Sequence, residues 1–193
     1  MTKAQTPERP NSTGSEEVVL VFTFGDVSYE EMSPRHLYAF LPVRPSVFRF
    51  FIHANFILTS TRKDIRRTRW NRTLLEAVPE AFLGAVAQFH DRGLATLWYN
   101  WPFLVPWPIV YDEAFEAFPL RLRYLCSQRP ILEDSSGARF PPQLLRTVPE
   151  TFRDEDKTPL LPEEYSSRRL ISRYYSAALE PMHKVTGSAK HDR

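Results

Sequence analysis

The most regular pattern in the chain runs from 47 to 58, VFRFFIHANFIL. Its even positions Phe48, Phe50, Ile52, Ala54, Phe56 and Leu58 are apolar, while Arg49, His53 and Asn55 fall on odd positions. A period of two predicts a strand with one face in the core and a wetter face opposite. Earlier, 18–24 (VVLVFTF) is a short β-branched apolar run, the pattern of a strand buried on both faces. Residues 25–34 are polar and turn-like, and 37–43 (LYAFLPV) predicts a further strand closed by Pro42. The three strands together predict a small, mostly antiparallel sheet.

After a polar, basic stretch the period changes. Trp70, Leu74, Val78, Phe82, Val86 and Phe89 recur at spacings of four and three, an apolar helical stripe over 70–92. Pro79 falls inside it and predicts a break, with Pro79 opening the second segment; Gly93 ends the stripe. Phe115, Phe118, Leu122 and Leu125 predict another helix over 112–126, stopped by Pro130. Between them, 94–111 carries Trp98, Trp101 and Trp107 and is broken by Pro102, Pro106 and Pro108.

The remaining chain reads as short pieces. Ile131 and Leu132, then Ser135-Ser136-Gly137, then 138–140 predict a small hairpin. Residues 141–162 are irregular and hold the acidic run Asp154-Glu155-Asp156. Leu170, Ile171, Tyr174, Ala178 and Leu179 predict a terminal helix over 167–179. Sheet first, helices next and a small β and loop region last is the segregated order of an α+β fold. The organisation expected is a disordered tail over 1–16, an α+β segment over 17–126, an irregular extension over 127–185 and a disordered tail over 186–193.

Composition narrows the function classes. The chain has 193 residues, 42% of them hydrophobic, enough for a packed core in one domain or two small ones. Against 6 Gly there are 17 Pro, which favours short elements over long helices. A net charge of +2 provides no global field for an anionic membrane, and argues against nucleic acid as a partner. Cys126 is alone, so neither an internal disulfide nor a cysteine-based zinc site is possible. The first residues hold no apolar h-region, and 94–111 is too proline-broken to span a bilayer, so a cytoplasmic or nuclear location is expected. On that ground the glycosylation patterns at Asn11 and Asn71 are read as chance.

Candidate chemistry is sparse. Arg62, Lys63, Arg66, Arg67, Arg69 and Arg72 fall within eleven residues, opposed there only by Asp64. They lie between a strand and a helix, and two readings stay open: a surface that meets phosphate, or a solvated cationic face. The five histidines hold no pair at helical metal spacing, and His53 reads as a hydrogen-bonded structural residue. No Gly-x-Ser-x-Gly elbow is present, and Cys126 has no histidine near it in sequence. Glycines at 14, 25, 84, 93, 137 and 187 form neither a Walker loop nor a dinucleotide fingerprint. No catalytic and no metal-binding residue is therefore named. The tryptophan stretch reads as a partner groove, a base-stacking platform or a lid on its own core.

Several motifs carry a family resemblance. Residues 38–44 (YAFLPVR), 50–65 (FFIHANFILTSTRKDI), Trp70-Asn71-Arg72 and Pro79-Glu80-Ala81-Phe82 follow one another in order. This series resembles the sacsin/NO VEIN-type proteins of the histidine-kinase-like (GHKL) ATPase superfamily. Pro130-Ile131-Leu132, Phe152-Arg153-Asp154 and 159–162 (PLLP) are similar to the downstream part of large fungal members. The resemblance covers about 18–185 and departs at 94–108, which is longer and richer in Trp than the family pattern.

The superfamily's Asn-bearing helix, Asp-x-Gly loop and Gly-rich lid have no counterpart here. The resemblance therefore implies a non-catalytic fragment of a larger ATPase, the segment after the ATP-binding domain, with ATP and magnesium held by that upstream domain and none bound by this chain alone. The upstream domain, or another protein, is the implied partner, in chaperone-like or scaffolding assembly. Arg62 stands where the family places a loop arginine. By analogy with the middle segment of the ninety-kilodalton heat-shock chaperone, it implies a γ-phosphate contact. Asp64, Trp70 and Asn71 are implied to fix the loop and cap the helix. The alternative is a protein-interaction module without nucleotide chemistry, docking through Trp98, Trp101 and Trp107.

Overall fold

A computed structural model of the chain describes residues 2–4, 16–23, 33–105, 112–156, 158–160 and 166–175. Trp107, the sequon at Asn11, Pro162 and the tail over 186–193 lie outside them. The described residues form an α+β arrangement. Five strands make the main sheet: β1 (Thr2–Ala4), β2 (Glu16–Val21), β3 (His36–Ala39), β4 (Leu41–Pro45) and β5 (Phe51–His53). Their order across the sheet is β1-β2-β5-β3-β4. All neighbours pair antiparallel except β3 and β5, which run parallel with Leu37 opposite Ile52. The sheet is thus mixed, though mostly antiparallel. Within the segment expected to be a disordered tail, β1 pairs Thr2 with Val18.

The period-two stretch keeps its facing but not its length. Phe48, Phe50 and Ile52 are fully buried, and Ala54 and Phe56 nearly so. Only Phe51–His53 form the strand, whose ladder with β3 ends where Ala54 N–H donates to Tyr38 O; before it the backbone finds partners elsewhere, the Phe48 carbonyl accepting from Arg35 N–H and Arg49 N–H donating to Leu104 O. The strand expected over 37–43 is two strands. Phe40 takes a left-handed φ of 66° and folds β4 back on β3. Pro42 and Pro45 fit β4 because it is an edge strand, whose outer side needs no ladder donor.

The apolar stripe is fully realised. α1 (Arg69–Glu76) and α2 (Val78–Asp91) meet at Ala77, with Pro79 in the first turn of α2 where its missing N–H costs nothing. Gly93, at φ 67°, closes α2: its N–H bonds His90 O, and Leu94 N–H bonds Phe89 O. All six stripe residues are buried, and Phe82 stacks on Phe50 at 5.1 Å between ring centres. On the same inner face of the sheet, Phe48 meets Phe115 and Phe118 at 4.8 and 4.4 Å. Burial of one such ring is worth about 1.5–3 kcal/mol, so this aromatic layer and not surface charge holds helices to sheet.

α3 (Ala95–Asn100) and a 3-10 turn over Trp101–Leu104 follow. Trp98 and Trp101 are 2% and 4% exposed: they pack into the core, as the reading of this stretch as a lid on its own core has it, and do not form the docking surface of the alternative. The helix expected over 112–126 is a 3-10 turn, Glu113–Phe115, and then α4 (Phe118–Ser127), because Pro119 opens a new first turn.

β6 (Leu132–Glu133) and β7 (Arg139–Phe140) form the expected small hairpin. β8 (Leu145–Arg146) pairs parallel with β9 (Arg169–Leu170), which corrects the terminal helix over 167–179. There the backbone bonds outward, Ile171 N–H to Arg146 O and Ser172 N–H to Glu133 O, and only a 3-10 turn, Arg173–Tyr175, follows. Residues 176–179 lie outside the described set. Among the described residues, no helix is long and apolar enough to cross a membrane.

Candidate functional site

The basic segment is built as a tight loop on a rigid base. Leu58 and Ile65 bridge antiparallel, Arg66 N–H donates to Ile57 O at 2.8 Å, and Thr59 N–H donates to Asp64 O at 2.9 Å. At the apex Arg62 N–H donates to Thr59 O at 3.0 Å, and Arg62 adopts a left-handed φ of 58°. Arg62 and Lys63 are exposed there. A non-glycine residue in this region is held by its surroundings against a steric cost, so the apex has a defined shape.

That shape is imposed from below by Asn71, which is 1% exposed. Its Oδ1 accepts from Ile57 N–H at 2.9 Å, and its Nδ2 donates to Ile57 O and Arg66 O at 2.8 and 2.7 Å. One amide therefore ties both ends of the loop to α1, a geometry that only a group with donor and acceptor together can supply. The helix cap belongs to Thr68, whose hydroxyl accepts from Asn71 N–H. Trp70 is fully buried and donates its indole N–H to Asn55 O at 2.9 Å, fixing the strand that enters the loop.

Asp64 holds the loop's exit. Its Oδ1 accepts from Ile65 N–H and from Arg44 Nε, both at 2.8 Å. Arg44, on β4, also forks onto Asp112 at 2.9 and 3.0 Å. Burial works against the Arg44 charge, but Asp112 and Asp64 more than offset it, and its pKa is raised. Glu113, one residue on, pairs with Arg67. These contacts enclose a groove of about 870 Å3, whose lining includes Arg66, Arg67, Arg72, Glu113 and Arg121.

The structure thus brings Asp64, Trp70 and Asn71 together around the loop that carries Arg62. Arg44, Asp112 and Glu113 were not legible, since 68 residues separate Arg44 from Asp112 and no local pattern marks the pair.

A second polar cluster lies under α2 and α3. Glu133, 6% exposed, accepts from Tyr99 Oη at 2.6 Å and lies 3.3 Å from His90 Nε2. Burial and this carboxylate push the Tyr99 hydroxyl up to about 12. Burial likewise pushes the Cys126 thiol up to about 12 against the nearby Arg129, so it stays protonated and unreactive at neutral pH. Among the described residues no group of three or more His, Cys, Asp or Glu is placed to hold a metal ion. Gly84 lies within α2, Gly93 at its end and Gly137 in the β6–β7 turn, so the described glycines form no phosphate cradle. These residues do not fit a complete nucleotide pocket.

No family model matches the chain, and no solved structure matches it. A stretch of 54 residues is 41% identical to Protein NO VEIN of Arabidopsis thaliana, which amounts to 28% of this chain. The same stretch spans 2% of that plant protein. The relation is NO VEIN-like over that stretch, within a far longer relative.

Proposed function

We propose that this chain is part of a NO VEIN-like, histidine-kinase-like ATPase and reads, through Arg62, a phosphate group of a nucleotide held by a neighbouring domain or protein. The observation that carries the reading is the apex of the basic loop. Arg62 stands exposed on a turn pinned at both ends by the three side-chain hydrogen bonds of Asn71. A guanidinium on a pre-shaped loop loses little freedom on meeting phosphate and offers paired donors. The family resemblance of 38–82 and the stretch shared with Protein NO VEIN support the same reading. A single cysteine, with no internal disulfide possible, fits a reducing compartment, the cytoplasm or nucleus. The neighbour supplies ATP and magnesium, and the assembly is chaperone-like or scaffolding.

The test is a titration of the purified chain with tripolyphosphate, following arginine side-chain N–H signals by NMR, with Mg·ATP turnover measured in parallel. We expect no turnover, and a displacement of the Arg62 signal larger than that of exposed Arg69. Arg62→Gln should weaken binding about fivefold, the worth of one exposed charge contact of about 1 kcal/mol. Metal-dependent turnover that vanishes in Arg62→Gln, or equal displacement at Arg62 and Arg69, overturns the reading.

An interaction module without nucleotide chemistry is the second reading. Phe40 and Leu41 favour it, because they stand 79% and 67% exposed at the β3–β4 turn. It gains if tripolyphosphate leaves every arginine signal in place.

A further inference from the structure

The groove beside the Arg62 loop carries both charges on each side, with Asp64 and Glu76 on the side of the loop and α1 and Arg121 on the side of the acidic turn and α4. Arg66 and Arg67 of the loop and Arg72 of α1 line it together with Asp112, Glu113 and Glu116 of the turn that precedes α4. The lining holds as many arginines as carboxylates, five of each, so the groove at rest is close to neutral. An anion gains most from it where it displaces one of those carboxylates.

The two ion pairs across the groove differ in kind. Arg44 and Asp112 are 22% and 12% exposed, and their paired bonds make a durable joint. Asp112 also accepts from Ala114 N–H, which fixes the start of the acidic turn. Arg67 and Glu113 are 82% and 51% exposed. Such a contact is screened by water and worth little by itself. Glu113 is therefore delivered to Arg67 by a firm neighbour, yet held there weakly.

We propose that Arg66, Arg67 and Arg72 form a subsite for a phosphate chain, and that Glu113 is its built-in competitor, occupying Arg67 until a polyphosphate displaces it. The inference rests on the phosphate-reading role of the Arg62 loop and names a second point of contact for the same ligand. A single carboxylate is outmatched by a ligand with several negative charges, so the subsite prefers tripolyphosphate to orthophosphate.

The experiment is calorimetric titration of tripolyphosphate and orthophosphate into the full chain at low salt. The variants are Arg62→Gln, Glu113→Gln, Glu116→Gln, Arg67→Gln and the double variant Glu113→Gln/Arg67→Gln. Glu113→Gln is expected to tighten tripolyphosphate binding about three- to fivefold, as releasing one exposed pair allows. Glu116→Gln removes the same charge from the same turn and should give a clearly smaller gain. In the Arg67→Gln background, Glu113→Gln should gain no more than Glu116→Gln does. Equal gains from Glu113→Gln and Glu116→Gln, or a Glu113→Gln gain that survives Arg67→Gln undiminished, would reduce the effect to a general field and overturn the subsite. If Glu113→Gln has no effect while Arg62→Gln still weakens binding, the subsite falls and the Arg62 reading stands. If no variant binds tripolyphosphate, both fall.

Discussion

Arg44 and Asp112, 68 residues apart in the chain, meet through two parallel N–H···O bonds of 2.9 and 3.0 Å. With a further bond, to Asp64, the same guanidinium ties the edge strand, the basic loop and the acidic turn to one another. Arg44→Ala leaves Asp112, at 12% exposure, without its charged partner. We expect a loss of about 1–3 kcal/mol, read as a lower urea midpoint with an unchanged slope. Arg44→Lys should recover less than half, since one ammonium does not reproduce a fork. Full recovery by lysine would show that charge alone, and not the planar geometry, makes the joint.

Asn71 invites a sharper test. Asn71→Ala removes three side-chain hydrogen bonds and strands Ile57 N–H, for which we expect about 2–4 kcal/mol of destabilisation. Asn71→Asp preserves size and the acceptor but sets a carboxylate against two carbonyls, so it should cost at least as much as alanine. Limited proteolysis at Arg62 and Lys63 reads out the loop directly: both variants should be cut faster than the parent. A stable Asn71→Asp protein with unchanged cleavage would mean that the amide does not clamp the loop.

The parts of this fold that were legible in sequence are those encoded by local period. The stripe from Trp70 to Phe89 and the alternation from Phe48 to Phe56 each report one buried face, and every one of those positions is buried. Period does not say what a backbone will bond to. The 47–58 stretch is therefore cut down to a short strand where Arg35 and Leu104 take its backbone bonds, partners that no local pattern announces. The same limit holds near the C-terminus: the spacing of Leu170, Ile171 and Tyr174 suits a helix, but the backbone there pairs with Arg146 and Glu133. Phe40 looked like mid-strand because nothing in a side chain announces a left-handed backbone. For the site, the charge run Arg62–Arg72 was visible and its clamp residue Asn71 was named, while Arg44, Asp112 and Glu113 arrive through the fold alone.

Acid should loosen the β6–β7 hairpin through Asp134. Burial, at 2% exposure, opposes its ionisation, yet hydrogen bonds from Ser136, Ala138 and Arg169 outweigh that and hold its carboxyl below the usual range. A carboxyl whose pKa is lower folded than unfolded contributes stability above its unfolded value, near 3.9, and loses it as pH falls through the folded value. The gap in melting temperature between the parent and Asp134→Asn should therefore be widest at neutral pH and shrink below about pH 4. A gap that stays constant down to pH 2 would assign the effect to shape instead of charge.

Phe40 is both strained and wasted as a core residue. Its φ of 66° lies in the region that costs an ordinary side chain about 1–2 kcal/mol, and its ring is 79% exposed, touching His53 edge-on at 5.8 Å. Phe40→Gly removes the backbone penalty but makes the unfolded chain more flexible, an opposing effect of about 0.5–1 kcal/mol. The net expectation is a gain of up to about 1 kcal/mol. Phe40→Ala keeps the penalty and loses the ring, so it should be no more stable than the parent, and Phe40→Val should be worse because a β-branched side chain tolerates this conformation least. Equilibrium unfolding of the three variants therefore ranks glycine above alanine above valine, and alanine at or above glycine would show that the turn is not strained. If the ranking holds, the parent residue is kept at a cost to folding, and an aromatic ring kept exposed at such a cost is best explained by something that binds it.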